Sequence, residues 1–142
     1  MRGYSCIGLY MPKNSLNIGS VLRASGNFEA SFVAVCGKRY QKSCTDTMKQ
    51  YRHMPLFHVE DLRRAIPYEC VPVAVDIIDG AIDLRKYTHP ERAFYIFGPE
   101  DGTLGEEITS WCRDTVYVPT NQCMNLAGTV HVVLYDRMLK CK

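Results

Sequence analysis

The feature that most constrains the fold is a pair of short apolar runs with a helical stripe between them. Cys6 to Met11 is stopped by Pro12 and Ser31 to Cys36 by Gly37, and runs of this length bounded by turn formers read as buried strands. Between them Ile18, Val21 and Leu22 fall at helical spacing, and the stripe ends before Gly26. That is a β-α-β unit, whose crossover helix joins parallel strands. The pattern continues downstream. Val71 to Ile78 and Ala93 to Phe97 predict two further buried strands, Glu60 to Ile66 predicts a helix ahead of the first, and Thr115 to Val118 a last short strand. Leu104 to Cys112 predicts a helix opened by a capping box, Thr103-x-x-Glu106, in which hydroxyl and carboxylate would satisfy free amides reciprocally. Leu126 to Leu139 is ambiguous: Thr129 to Val133 is β-branched enough for a strand, while Tyr135 to Lys140 favours helix, and we read it as helix. Strands alternating with helices predict one α/β domain over residues 1–142, with a mostly parallel sheet and helices on both faces.

Composition narrows the function classes. Seven cysteines without a Cys-x-x-Cys pair argue against a disulfide framework or a zinc ribbon, and the histidines (His53, His58, His89, His131) lack ligand spacing, so no metal is expected. Seventeen Lys and Arg against fifteen Asp and Glu give a net charge of +2, too balanced for a polybasic nucleic-acid binder; RNA contact would need a local patch. The segment from Gly37 to Tyr51 offers one, with Lys38, Arg39, Lys42 and Lys49 set beside Tyr40 and Tyr51. Cations beside aromatic faces suit phosphate contact and base stacking, and a solvated surface loop fits the same residues. No run approaches the length of a membrane span and the opening residues predict no signal peptide, so a cytoplasmic protein without membrane contact is expected.

Three places carry candidate chemistry. Phe97-Gly-Pro-Glu-Asp-Gly-Thr-Leu-Gly105 lies after a strand and before a helix, the crevice position where open α/β sheets bind ligands. It is neither a phosphate-binding loop nor a dinucleotide turn, and it sets Glu100 and Asp101 where a phosphate would sit. Carboxylates there repel phosphates and tolerate a ligand with no phosphate or one bearing positive charge, such as a sulfonium; a glycine turn with solvated acids is the alternative. On the entry to the first helix stand Asn17, Gly19 and Arg23, the last placed to meet a phosphate or carboxylate bidentately or to be an ordinary surface arginine. Tyr117 to Asn125 packs a strand end, Pro119 and three amide side chains into a short loop that suits an adenine edge. Cys123 lacks a partner pattern for a thiol nucleophile.

At these three places the sequence resembles the SpoU/TrmH branch of the SPOUT RNA methyltransferases. The family's N-x-G-x-x-x-R is matched by Asn17, Gly19 and Arg23, its G-[PS]-E-x-x-G-L or a close variant by Gly98-Pro99-Glu100-Asp101-Gly102-Thr103-Leu104, and its strand-proline-S-[LM]-N by Val118-Pro119 and Cys123-Met124-Asn125, with Tyr135-Asp136 near the end of the last helix. The resemblance runs from about Cys6 to Lys140. It implies a deep C-terminal trefoil knot, S-adenosylmethionine as cofactor, a homodimer packed through the first and last helices, and methylation of a ribose 2′-hydroxyl. By position it implies that Val75, Phe97, Gly98, Gly102, Val118, Cys123 and Leu126 frame the cofactor. Arg23, Glu100 and Asn125 would form the catalytic surround, and Asn17, Arg23, Lys38, Arg39 and Lys42 would meet RNA. Two departures stand out: the family serine is Cys123, and the loop from Pro119 to Cys123 is short and lacks glycine. The small size resembles members that act on the tRNA wobble position, which makes tRNA the expected substrate ahead of rRNA. The competing readings are a catalytically weak RNA-binding member of the same fold and an unrelated small α/β nucleotide-binding module.

Overall fold

The computed structural model describes residues 3–37 and 53–141. Strand β1 (Tyr4–Tyr10) is followed by helix α1 (Ser15–Asn27), β2 (Val33–Cys36), β3 (Leu56–Val59), β4 (Val71–Val75), β5 (Ile82–Asp83), β6 (Arg92–Phe97), the one-turn α2 (Glu106–Thr109), β7 (Asp114–Tyr117) and α3 (Leu126–Lys140). The seven strands form one sheet in the order β3-β2-β1-β6-β4-β7-β5, and every pairing is parallel. β1 lies inside the sheet, with Ile7 opposite Val33 of β2 and Tyr95 of β6. The chain leaves β1 towards one edge and returns to build the other half beyond β6, so the sheet reverses its strand order beside β1.

Alternation along the strands sorts the core onto two faces. Ile7, Leu9, Val73, Tyr95 and Phe97 face α1 and α3, whose Ile18, Val21, Leu22, Val130, Val133 and Leu134 complete one cluster. Cys6, Ala34, Ala74, Phe94 and Ile96 face the other way, onto Leu62, Leu104 and Ile108. Gly8 is required there: a Cβ on it would stand 2.6 Å from the Phe94 ring, which is fully buried.

Four sequence expectations change. The helix expected over Glu60 to Ile66 is a single 3-10 turn, Leu62–Ala65; Pro67 holds Ile66 in extended backbone (ψ 118°), which ends it. The helix expected over Leu104 to Cys112 shrinks to Glu106–Thr109, and its capping box does not form. Gly105 takes φ +74° immediately before Glu106, and the Leu104 amide donates to Asp76 Oδ2 at 2.9 Å instead. The strand expected to reach Ile78 stops at Val75, because the Asp76 carboxylate turns back to accept the Ile77 amide. β3 and β5 were not expected; both are short, and Phe57 and His58 of β3 are exposed, so neither shows a buried run. The ambiguous C-terminal stretch is helix, as read.

The carboxyl half of α3 is bolted to the amino edge of the sheet. Arg137 is only 2% exposed and donates to the carbonyls of Pro90, Glu91 and Tyr4 and to the Tyr95 hydroxyl. A buried guanidinium is tolerated when its donors are satisfied, as here. From Tyr95 the hydroxyl donates to His89 Nδ1 (2.7 Å), and His89 Nε2 donates to Asp136, which also receives Lys140; this network fixes the tautomer. Burial pushes the His89 pKa below its ordinary value despite the Asp136 carboxylate.

Candidate active site

At the opposite, carboxyl edge of the sheet, the ends of the neighbouring strands β6, β4 and β7 open into a cavity of about 380 Å³. That lies within the roughly 300–1,000 Å³ of small-molecule sites, in the position open α/β sheets use for ligands. Val75, Asp76 and Ile77 form the wall after β4; Phe97, Gly98, Pro99, Glu100, Gly102 and Thr103 form the wall after β6. Tyr117, Val118, Thr120, Cys123 and Met124 follow β7, and Leu126 and Thr129 close it from the start of α3. The seven residues assigned above to cofactor contact therefore share one cavity.

Each wall has a local cause. Gly98 and Gly102 line the cavity with backbone alone, and Gly98 also makes room for Leu104, whose Cγ and amide would lie 3.3 Å from any Cβ. Glu100 does not reach Arg23. Its carboxylate accepts the amides of Lys13 and Asn14 (3.1 Å each) and the Asn17 side chain (2.8 Å), pinning the loop after β6 to the start of α1. Asn17, expected to touch RNA, is thus a partner of Glu100. Asn125 caps α3: its side chain accepts the Gly128 amide at 2.6 Å, and a Cβ on Gly128 would crowd it at 3.0 Å. The Thr129 hydroxyl and amide both donate to the Asn125 carbonyl, which holds the entry to α3 against the cavity.

Arg23 stands apart. It is exposed on α1 and lines a separate concavity with Gly26, Asn27, Glu29, Ala30, His53 and Met54. His53 is separated from the basic segment, Gly37 to Tyr51, by Arg52 alone in sequence. Lys38, Arg39 and Lys42 themselves lie outside the described residues. Asp76 was missed: a lone acid at a strand end has no sequence signal, yet it joins two cavity walls by accepting the Ile77 and Leu104 amides. Cys123 is exposed at the rim. Among the described residues no cluster of metal ligands occurs, and no helix is long and apolar enough to cross a membrane.

The donor set fits S-adenosylmethionine. The walls are largely apolar, two carboxylates face or flank the cavity, and no Lys or Arg lines it, so a sulfonium is favoured over a phosphate.

The SpoU rRNA methylase family model matches residues 5–135. Among solved structures, the SpoU methyltransferase AviRb from Streptomyces viridochromogenes in complex with AdoMet has a TM-score of 0.85 at 20% identity, covering 99% of this chain and 59% of that one. An AdoMet-bound rRNA methyltransferase from Sinorhizobium meliloti gives 0.83 at 20% identity, over 98% of this chain and 57% of that one. A protein solved for the 2-OH methylation of C/U34 on tRNA gives 0.83 at 20% identity, over 99% and 92%. This chain therefore spans well under two thirds of the length of the first two. No curated protein matches it.

Proposed function

The chain belongs to the SpoU rRNA methylase family, and from that premise we propose that it is an S-adenosylmethionine-dependent RNA methyltransferase acting on a ribose 2′-hydroxyl of tRNA. The observation that carries the proposal is the cavity at the ends of β6, β4 and β7, largely apolar, with two acidic residues and no Lys or Arg in its lining. The tRNA preference is supported by the likeness in fold, over nearly the whole of both chains, to the protein solved for the 2-OH methylation of C/U34 on tRNA. The trefoil threading of the C-terminal segment and homodimerisation belong to the same proposal.

When bound, the cofactor supplies an electrophilic methyl group on a positively charged sulfur. The residues of this chain do the rest. Val75, Phe97, Val118 and Leu126 give apolar contact, while Gly98 and Gly102 allow close backbone approach. The RNA hydroxyl must lie in line with the departing sulfur and lose its proton as the oxygen–carbon bond forms. A guanidinium offers five donors and no acceptor, so the part assigned to Arg23 is to orient the hydroxyl or the adjoining phosphate. In support, Arg23 shares its concavity with His53, the first described residue after Lys38, Arg39 and Lys42 in sequence. Glu100 and Asn125 act at one remove, by fixing the loop after β6 and the start of α3.

Nucleosides from tRNA of cells with and without the gene, compared by mass spectrometry, test the reaction. Loss of one 2′-O-methylnucleoside, restored by the purified protein and cofactor, is expected; identical profiles for tRNA would remove the substrate assignment. Calorimetry with S-adenosylmethionine tests the cavity, and no binding at millimolar concentration would remove the cofactor.

A further inference from the structure

The loop after β6 contributes less charge to the cavity than its sequence suggests. Glu100 spends its carboxylate on two backbone amides and the Asn17 side chain at the start of α1, and Asp101 is not part of the lining. Asp76 differs. It is half-buried on the β4 wall, each oxygen accepts a single amide, from Ile77 or Leu104, and among the described residues it makes no ion pair. No lining residue is cationic. Asp76 is therefore the least compensated charge in the cavity, and any ligand there lies within a Debye length of it, where ionic screening is weak.

We propose that Asp76 is a specificity-determining residue of this cavity: its carboxylate favours the sulfonium form of the methyl donor over the neutral thioether left after transfer. This rests on the methyltransferase reading above and goes beyond it. Transfer forms the oxygen–carbon bond, breaks the carbon–sulfur bond with its electron pair left on sulfur, and passes the hydroxyl proton to water, so the bound ligand loses its positive charge. A carboxylate on a lining residue, with both oxygens held by backbone amides, then holds substrate more tightly than product and speeds exchange of one for the other. The same residue ties the walls after β4 and β6 together, so discrimination and shape reside in one side chain.

The test is calorimetric titration with three ligands of one shape. S-adenosylmethionine carries a sulfonium, sinefungin an ammonium at the same place, and S-adenosylhomocysteine a neutral thioether. Asp76→Asn keeps the size of the side chain and removes its charge. It is expected to weaken S-adenosylmethionine and sinefungin by about tenfold, and S-adenosylhomocysteine by less than about twofold. The wild-type protein gives a second reading: S-adenosylmethionine and sinefungin are expected to bind more tightly than S-adenosylhomocysteine, so the test survives if Asp76→Asn does not fold. Equal losses for all three ligands in Asp76→Asn would make the residue purely structural and overturn the proposal. So would tighter wild-type binding of S-adenosylhomocysteine than of the two charged ligands. Failure of wild-type protein to bind any of the three would overturn the methyltransferase reading itself, and this inference with it.

Discussion

Glu100 shows how a residue named by pattern acquires its role from position. Its place in the glycine loop suggests an acid aimed at the ligand, whereas its hydrogen bonds aim it at the first turn of α1. Glu100→Gln keeps the shape but turns one acceptor into a donor facing backbone amides. We expect a loss of about 1 kcal/mol in urea denaturation, together with weaker cofactor binding, because Gly98 and Gly102 sit on the same loop. Arg23→Ala separates substrate orientation from cofactor contact. Methyl transfer to tRNA should be abolished while the affinity for S-adenosylmethionine stays within a few-fold of wild type, and Arg23→Lys should rescue poorly because a point charge lacks the bidentate fork. Near-normal turnover by Arg23→Ala would remove it from the catalytic set. Asn125→Ala removes a helix cap and should cost about 1 kcal/mol. It should also weaken cofactor binding, since Met124 and Leu126 on either side line the cavity. The residue types at these positions were legible in the sequence; their hydrogen-bond partners were not, because Asn14 and Glu100 lie far apart in the chain and meet only across the folded sheet.

At the scale of elements, strand ends and helix starts decide the site. α2 is the instructive case. Local chemistry favours a capped helix from Thr103, but the bond from the Leu104 amide to Asp76 and the positive φ of Gly105 replace it with an irregular wall. The tertiary acceptor takes a different amide from the two a Thr103–Glu106 box would satisfy, and with Gly105 in left-handed backbone the helix starts at Glu106 without a side-chain cap. α3 presents the reverse situation, with its ambiguity resolved by burial of Val130, Val133 and Leu134 against the sheet. Its docking makes a pH prediction. His89 is neutral in the network, accepting from Tyr95 and donating to Asp136, and protonation would set a second N–H against a tyrosine oxygen already accepting from Arg137. Its folded-state pKa lies below the ordinary 6.5, so the unfolded chain binds the proton more readily. This contribution to stability is complete above pH 6.5 and is lost as the pH falls through the folded-state value. Melting temperatures measured from pH 7 down to 5 should fall more steeply for wild type than for His89→Gln, and parallel curves would contradict the assignment. At Gly8, substitution by alanine should cost about 1–3 kcal/mol by overpacking against Phe94, read as a lowered denaturation midpoint.

At the scale of the molecule, the two ends of the sheet are used differently. The amino edge carries the buried Arg137 and His89 network and the carboxyl edge carries the cavity, so one end holds α3 while the other binds. The outer side of α3 leaves Tyr135, Met138 and Leu139 exposed at i, i+3 and i+4, one apolar stripe beside Phe28. In the proposed homodimer this stripe is covered, and Leu139→Glu should convert a dimer to a monomer in sedimentation at micromolar concentration without lowering helix content. A wild-type monomer under those conditions would exclude the dimer. The sequence by itself determined the parallel α/β class, the main strands and helices, and the loops that supply most of the cavity wall. It could do so because buried runs, helical stripes and turn residues act over a few neighbours. Only the tertiary structure decided that β6, β4 and β7 lie side by side, that Glu100 serves α1, that Arg23 lies off the cavity, and that Asp76 belongs to it. Those outcomes depend on which distant strand ends come together, and the free energy that selects them is that of the packed sheet as a whole.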